Sequence, residues 1–203
     1  MHAARSEAKK PPIVQYLDEK VREYTRVENC LVIYPKNAHF EELRIYSEPL
    51  QVPLSAEYKW RIVAKGSLDL TEESARTPEE TYPILERFGC RITMKGALFR
   101  KPIFGTVNED GDRDLALFVE RDPVLDRLLR KLKPDVVYMN PTYEEKIIWL
   151  VTLIKGPIND TMLTRSKINN TYETMNRLCE LAKEFTQGML SHLHNEEWRS
   201  KES

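Results

Sequence analysis

The chain has 203 residues, 41% of them apolar, enough to bury the core of one domain and too many for a disordered polypeptide. Its 31 basic and 32 acidic residues leave a formal net charge of −1, which excludes a global pull toward nucleic acid or anionic lipid. Three scattered cysteines, Cys30, Cys90 and Cys179, exclude a disulfide framework and a zinc module.

Residues 1–12, MHAARSEAKKPP, are small, charged and proline-terminated, and predict a loose tail without the apolar run of a signal peptide. The spacing I-V-x-Y-L-x-x-x-V-x-x-Y predicts a helix over 13–27. CLVIY, 30–34, predicts a short buried strand, with 40–46 as its partner. EYKWRIVAKGSLDL, 57–70, alternates strictly. Tyr58, Trp60, Ile62 and Ala64 fall on one face, and Lys59, Arg61, Val63 and Lys65 on the other. Gly66 marks a bulge or bend. Thr77, Pro78 and Glu80 then form a capping box that starts a helix, which Pro83 should kink or end before Gly89 closes the segment.

CRITMKGALF, 90–99, alternates again, with Cys90, Ile92 and Met94 opposite Arg91, Thr93 and Lys95. Two more strands are expected at 103–107 and 115–119, joined by a turn at Asp110-Gly111. Asp122 caps a short helix with Pro123 at its first position and Val124, Leu125, Leu128, Leu129 and Leu132 as its stripe. DVVYM, from Asp135, predicts a short strand. Asn140-Pro141 is expected to open a helix through Ile154, ended by Gly156-Pro157. A last helix over about 160–198 carries Ile168, Tyr172, Met175, Leu178, Cys179, Ala182, Phe185, Met189 and Leu193 at helical spacing.

This order predicts an α+β fold, with a small antiparallel sheet covered by helices and a long C-terminal amphipathic helix. The expected organisation is a tail over 1–12, an α+β domain over 13–158, and a helical segment over 159–203 packed on the domain or on a partner. The longest apolar run, Ile147 to Leu153, is too short to cross a bilayer. An intracellular protein, cytoplasmic or nuclear, with no transmembrane segment is therefore expected. The sequons at Asn159 and Asn169 then carry no weight.

Candidate chemistry is sparse. NEDGDRD, 108–114, places Asp110, Asp112 and Asp114 beside a glycine, as a cation loop would. A calcium loop starting at Asn108 needs glycine where Arg113 stands and glutamate where Val119 stands, so that register fails; a start at Asp110 puts Leu115 at the glycine position. A hairpin explains the same residues. A metal-dependent phosphoryl-transfer enzyme using the three aspartates stays open as an alternative. No glycine-rich phosphate loop, nucleophile elbow or cysteine motif is present, so the balance is against an enzyme and no cofactor is implied. His39 stands alone, and His192 and His194 point apart on a helix.

The basic residues suggest binding instead. Lys59, Arg61 and Lys65 share the outer face of one strand, and Arg91 and Lys95 a face of another, with Arg100 and Lys101 following. If these strands are neighbours, the sheet offers a positive surface to lipid headgroups or RNA phosphates. Lys9 and Lys10 extend it from the tail. RLLRKLKP, 127–134, most simply puts Arg127, Arg130, Lys131 and Lys133 on the wet side of its helix. The last helix offers Ile168, Tyr172, Met175, Leu178, Phe185 and Met189 to the sheet or to a partner.

Over residues 57–158 the order of elements resembles that of rhabdovirus matrix proteins. The pieces carrying the likeness are EYKWRIVAKG, TPEETYPILERFG, KGALFRKPIFGTV and DLALFVERDPVLDRLL, with KKPPIVQY in the place of a basic, proline-rich tail. The tail lacks a P-P-x-Y motif, and the long last helix is not expected of that family. The resemblance implies a non-enzymatic, self-associating protein that links nucleoprotein to membrane. Sequence-tolerant RNA binding through the same basic face is the alternative.

Overall fold

The computed structural model describes residues 11–49, 58–68, 77–96, 100–158 and 164–201. In chain order the elements are α1 (Pro12–Tyr16), β1 (Val21–Val27), β2 (Cys30–Pro35), β3 (Glu42–Pro49), β4 (Tyr58–Ser67) and α2 (Pro78–Leu85). Then come β5 (Cys90–Lys95), β6 (Lys101–Thr106), α3 (Asp114–Glu120), α4 (Pro123–Leu132), β7 (Val136–Glu144), β8 (Lys146–Ile158) and α5 (Arg165–Lys201). The strands form one sheet in the order β1-β2-β3-β4-β8-β7-β5-β6, every neighbouring pair antiparallel. The fold is α+β as expected, but the sheet is eight strands wide rather than small.

Three elements differ from expectation, each for a reason visible in its residues. The helix expected over 13–27 ends at Tyr16. Val14, Leu17 and Val21 still face the core, but VREYTRV is rich in β-branched residues and pairs with β2 across a turn at Glu28, whose φ is 51°. The helix expected from Asn140 is a hairpin, β7 to β8, turning at Glu145 with φ 62°. β8 is apolar on both its faces, with Ile148, Leu150 and Ile154 opposite Ile147, Trp149, Val151 and Leu153, so its run carries no alternation to read. The strand expected at 115–119 is α3. Leu115, Ala116 and Val119 are buried while Leu117 is 40% exposed, a helical pattern that alternation would have inverted.

α5 lies across the sheet and organises the core. Ile168, Tyr172, Met175, Leu178, Cys179 and Ala182 are buried in the same cluster as Ile62, Ala64, Trp149, Val151 and Leu153 from the centre of the sheet, and Phe185 and Met189 pack against it. Trp149 donates its indole N–H to Thr186 Oγ1 at 3.0 Å, and Thr186 in turn donates to the Ala182 carbonyl at 2.8 Å. The face offered to the sheet or to a partner is thus covered in cis from Ile168 to Ala182. Gly66 lets α5 approach the sheet closely. A Cβ there would lie 3.0 Å from the His39 carbonyl and 3.5 Å from Cys179 Cβ, so its role is close approach; the irregularity in β4 falls between Tyr58 and Trp60 instead.

Registers assign the two faces of the sheet. Trp60, Ile62 and Ala64 share the α5 side with Ile45, Leu43, Leu153 and Val151. Cys30, Val32 and Ile148 are also buried but fall outside that core cluster, on the opposite side. No described helix packs on that side. The described helices form one layer, which leaves the second face of the sheet bare of described helices.

Candidate anion-binding end of the sheet

The bare face carries the basic residues that alternation singles out. On β4, Arg61 and Lys65 are opposite Tyr46 and Glu42 of β3, with Lys59 opposite Glu48. On β5, Arg91 pairs in register with Tyr138 of β7, and Lys95 is directly opposite Lys101 of β6. β4 and β5 are not neighbours. β8 and β7 separate them, putting the two basic groups about 14 Å apart at the usual strand spacing. They share the face without forming one cluster. Trp60 faces the core as expected, yet two tyrosines of the bare face escaped the sequence reading. The Arg61 guanidinium sits 4.5 Å from the Tyr46 ring centre, and Arg91 5.9 Å from that of Tyr138.

Pairing divides these cations. Arg61 binds Glu48 at 3.0 Å, Lys65 approaches Glu144 at 3.5 Å, and Arg44 pairs with Glu42. Lys59, Arg91, Lys95, Arg100 and Lys101 make no ion pair with another described residue. Register places Lys95 and Lys101 at one end of the sheet, where β4 and β7 begin and β8 finishes, and there the chain adds cations from the helix side.

Lys155, in β8, is half-buried on the covered side and donates to the Lys133 carbonyl at 2.6 Å. Lys133 closes α4 in the left-handed conformation, φ 50° and ψ 60°, which turns that carbonyl toward the sheet. Burial pushes the Lys155 ammonium below its ordinary pKa. Asp135 opposes that shift, and the nearby charges of Arg100, Lys167 and Lys133 add to it. The Asp135 carboxylate accepts the Gly156 N–H at 2.9 Å. Lys167 sits in the first turn of α5, beside Arg165 and with no acidic residue there, although a helix start favours acids over bases.

The opposite end of the sheet is acidic. Glu41, Glu42, Glu144 and Glu145 cluster near the β7–β8 turn, and the loop 108–113 ends β6 on the same side. Two of its basic residues are met by carboxylates: Lys146 binds Glu41 at 3.0 Å, and Arg87 lies 3.9 Å from Asp112. Behind a net charge of −1, the described residues thus sort toward two ends of opposite sign.

The acidic loop does not form the expected hairpin turn. Asn108 accepts the Gly111 N–H through its carbonyl at 3.0 Å, and Asp112 accepts the Asp114 N–H at 3.0 Å to open α3. Gly111 has no positive φ; a Cβ there would lie 3.1 Å from the Asn108 carbonyl. Among the described residues no three His, Cys, Asp or Glu side chains are grouped to hold a metal ion. His39 packs on α5 instead, its backbone N–H donating to Asn176 Oδ1 at 2.7 Å and its Nε2 lying 3.2 Å from Glu180. Burial pushes the thiols of Cys90 and Cys179 up to about 12, far from the reactive range. Lys9 and Lys10 lie outside the described residues. No described helix is long and apolar enough to cross a membrane.

Lys133, Lys155 and Lys167 belong to the basic end, but the sequence reading placed none of them there. Lys155 lay just past the end of the helix expected through Ile154, and its place in β8 brings it beside the end of α4. No family model matches the chain, and neither does a curated protein or a solved structure.

Proposed function

We propose that this chain is a non-enzymatic adaptor that lays the basic end of its sheet against an anionic partner. The observation that carries this reading is the contrast in pairing. Lys65, Arg87 and Lys146 at the acidic end are met by carboxylates, whereas Lys59, Lys95, Arg100 and Lys101 meet no described carboxylate. Unmatched surface cations cost little in water and are available for a partner's charges. The resemblance of the sequence to rhabdovirus matrix proteins makes an acidic membrane surface the first partner to test. Co-sedimentation with phosphatidylserine vesicles tests it, with binding expected at low salt and lost on Lys95→Glu/Lys101→Glu. No sedimentation at any salt contradicts it.

Two ends of opposite sign also support head-to-tail self-association, because such a contact is heterologous and can propagate. Oligomers that form at low salt and dissolve at high salt are the expected sign. RNA is the second reading, favoured by Tyr46 and Tyr138 beside Arg61 and Arg91 on a bare sheet face. It requires RNA affinity that falls steeply with salt and drops on Tyr138→Ala.

A further inference from the structure

We infer that the cavity between α1 and the β1–β4 half of the sheet binds a small monocarboxylate with an apolar body, its headgroup held by Arg26. The cavity has a volume of about 540 Å³, within the range of small-molecule sites, and stands on the helix side of the sheet. Strand register builds its floor. Leu31 of β2 is opposite both Arg26 of β1 and Ile45 of β3, and Ser47 of β3 is opposite Trp60 of β4. Ile13 and Tyr16 of α1 supply the facing wall.

The lining is apolar toward one end and polar toward the other. Ile45 and Trp60 are 5% and 4% exposed, and with Ile13 they also border a crevice of about 10 Å³ that reaches under α5. That crevice is too small to hold more than one water, so it closes the site on the side of β4. Apart from the Tyr16 hydroxyl, the polar side chains are Arg26, Asn29 and Ser47. They gather near the β1–β2 turn, where the Asn29 carbonyl accepts the Ser47 N–H at 3.5 Å. Among the described residues of the lining Arg26 alone is charged, and it makes no ion pair with another described residue. One cation balances one anion. The guanidinium fork fits the two oxygens of a carboxylate, and an amide and a hydroxyl stand beside it as further donors. A phosphate monoester, with close to two charges, would be half neutralised in such a site.

Decanoate, titrated into the full chain below its micelle concentration and followed by NMR, tests the assignment. The Trp60 indole N–H signal should move to saturation, whereas that of Trp149, bonded to Thr186 in the core, should stay in place. Arg26→Gln, at an exposed position of an edge strand, should weaken binding about tenfold or more, the loss typical of removing a charge-assisted contact. Arg26→Lys keeps the charge without the fork and should fall between. Decyltrimethylammonium, with the same tail and the opposite charge, should bind about tenfold more weakly or not at all.

The cavity is separate from the basic end of the sheet. Lys95 and Lys101 stand on the bare side, and β8 and β7 lie between β5 and β4. Lys95→Glu/Lys101→Glu should therefore bind decanoate within about twofold of wild type. Arg26→Gln should in turn sediment with phosphatidylserine vesicles as wild type does, which distinguishes a free carboxylate from a lipid surface. A Trp60 signal that does not respond overturns the cavity as the place of binding. Equal affinity for the cationic amphiphile, or unchanged affinity in Arg26→Gln, overturns the carboxylate as its ligand. Equal losses of decanoate binding in the Arg26 and Lys95/Lys101 variants overturn the proposal too, since they would show general screening.

Discussion

Asp122 shows how one side chain joins two helices. Its carboxylate accepts the Leu125 N–H at 2.6 Å, capping α4, and accepts Arg177 of α5 at 2.6 Å. Burial pushes its pKa up, but Arg177 and the cap outweigh that and hold it below the usual 3.8. The folded state therefore binds fewer protons here than the unfolded chain. The stabilisation is full above the ordinary carboxylate range and is lost as pH falls through the lowered value. Arg177 keeps Glu180 at 2.6 Å and Glu184 at 3.2 Å when Asp122 is removed, so the arginine is not stranded. Asp122→Ala is expected to cost about 2 kcal/mol in urea unfolding at neutral pH, and Asp122→Asn about half that, because the cap survives. The difference from wild type should shrink in acid. The cap was legible in D-P-V-L-D, since a short oxygen side chain before proline has one obvious use. Its arginine partner, 55 residues on, was not.

At the scale of elements, α5 holds the sheet by its buried stripe. Leu178→Ala, at a fully buried position, is expected to cost roughly 2–5 kcal/mol, against about 0.5 for Leu117→Ala on the exposed side of α3. Gly66→Ala should cost about 1–3 kcal/mol, because the His39 carbonyl at 3.0 Å is backbone and yields little. Chemical denaturation of the three variants checks the ranking. Elements with a single strong period or cap were readable: β4 from its alternation, α2 from Thr77 and Glu80, and α5 from its stripe. Elements whose environment overrides local pattern were not. β8 shows no period because apolar residues stand on both its faces. α3 alternates by accident, since Leu115, Leu117 and Val119 fit a strand as well as a helix until the core decides. Alternation gave the basic residues of β4 one face of their strand and those of β5 one face of theirs, but the distance between them depended on β8 and the end of β7, which read as a helix.

For the whole molecule, charge arrangement matters more than charge total. A balanced composition argued against a polyanion partner, yet the fold sorts its charges into a basic end and an acidic end. Binding to an anionic surface should therefore be oriented, with the acidic end held away, and should fade as salt rises. Reversing a cation at the acidic end tests orientation, because Lys146 is already engaged by Glu41. The most direct measurement is vesicle co-sedimentation at low ionic strength, comparing wild type, Lys95→Glu/Lys101→Glu and Lys146→Glu. The account predicts that wild type and Lys146→Glu sediment alike and that the double variant stays in solution. Equal loss in both variants, or no binding by wild type, would contradict it.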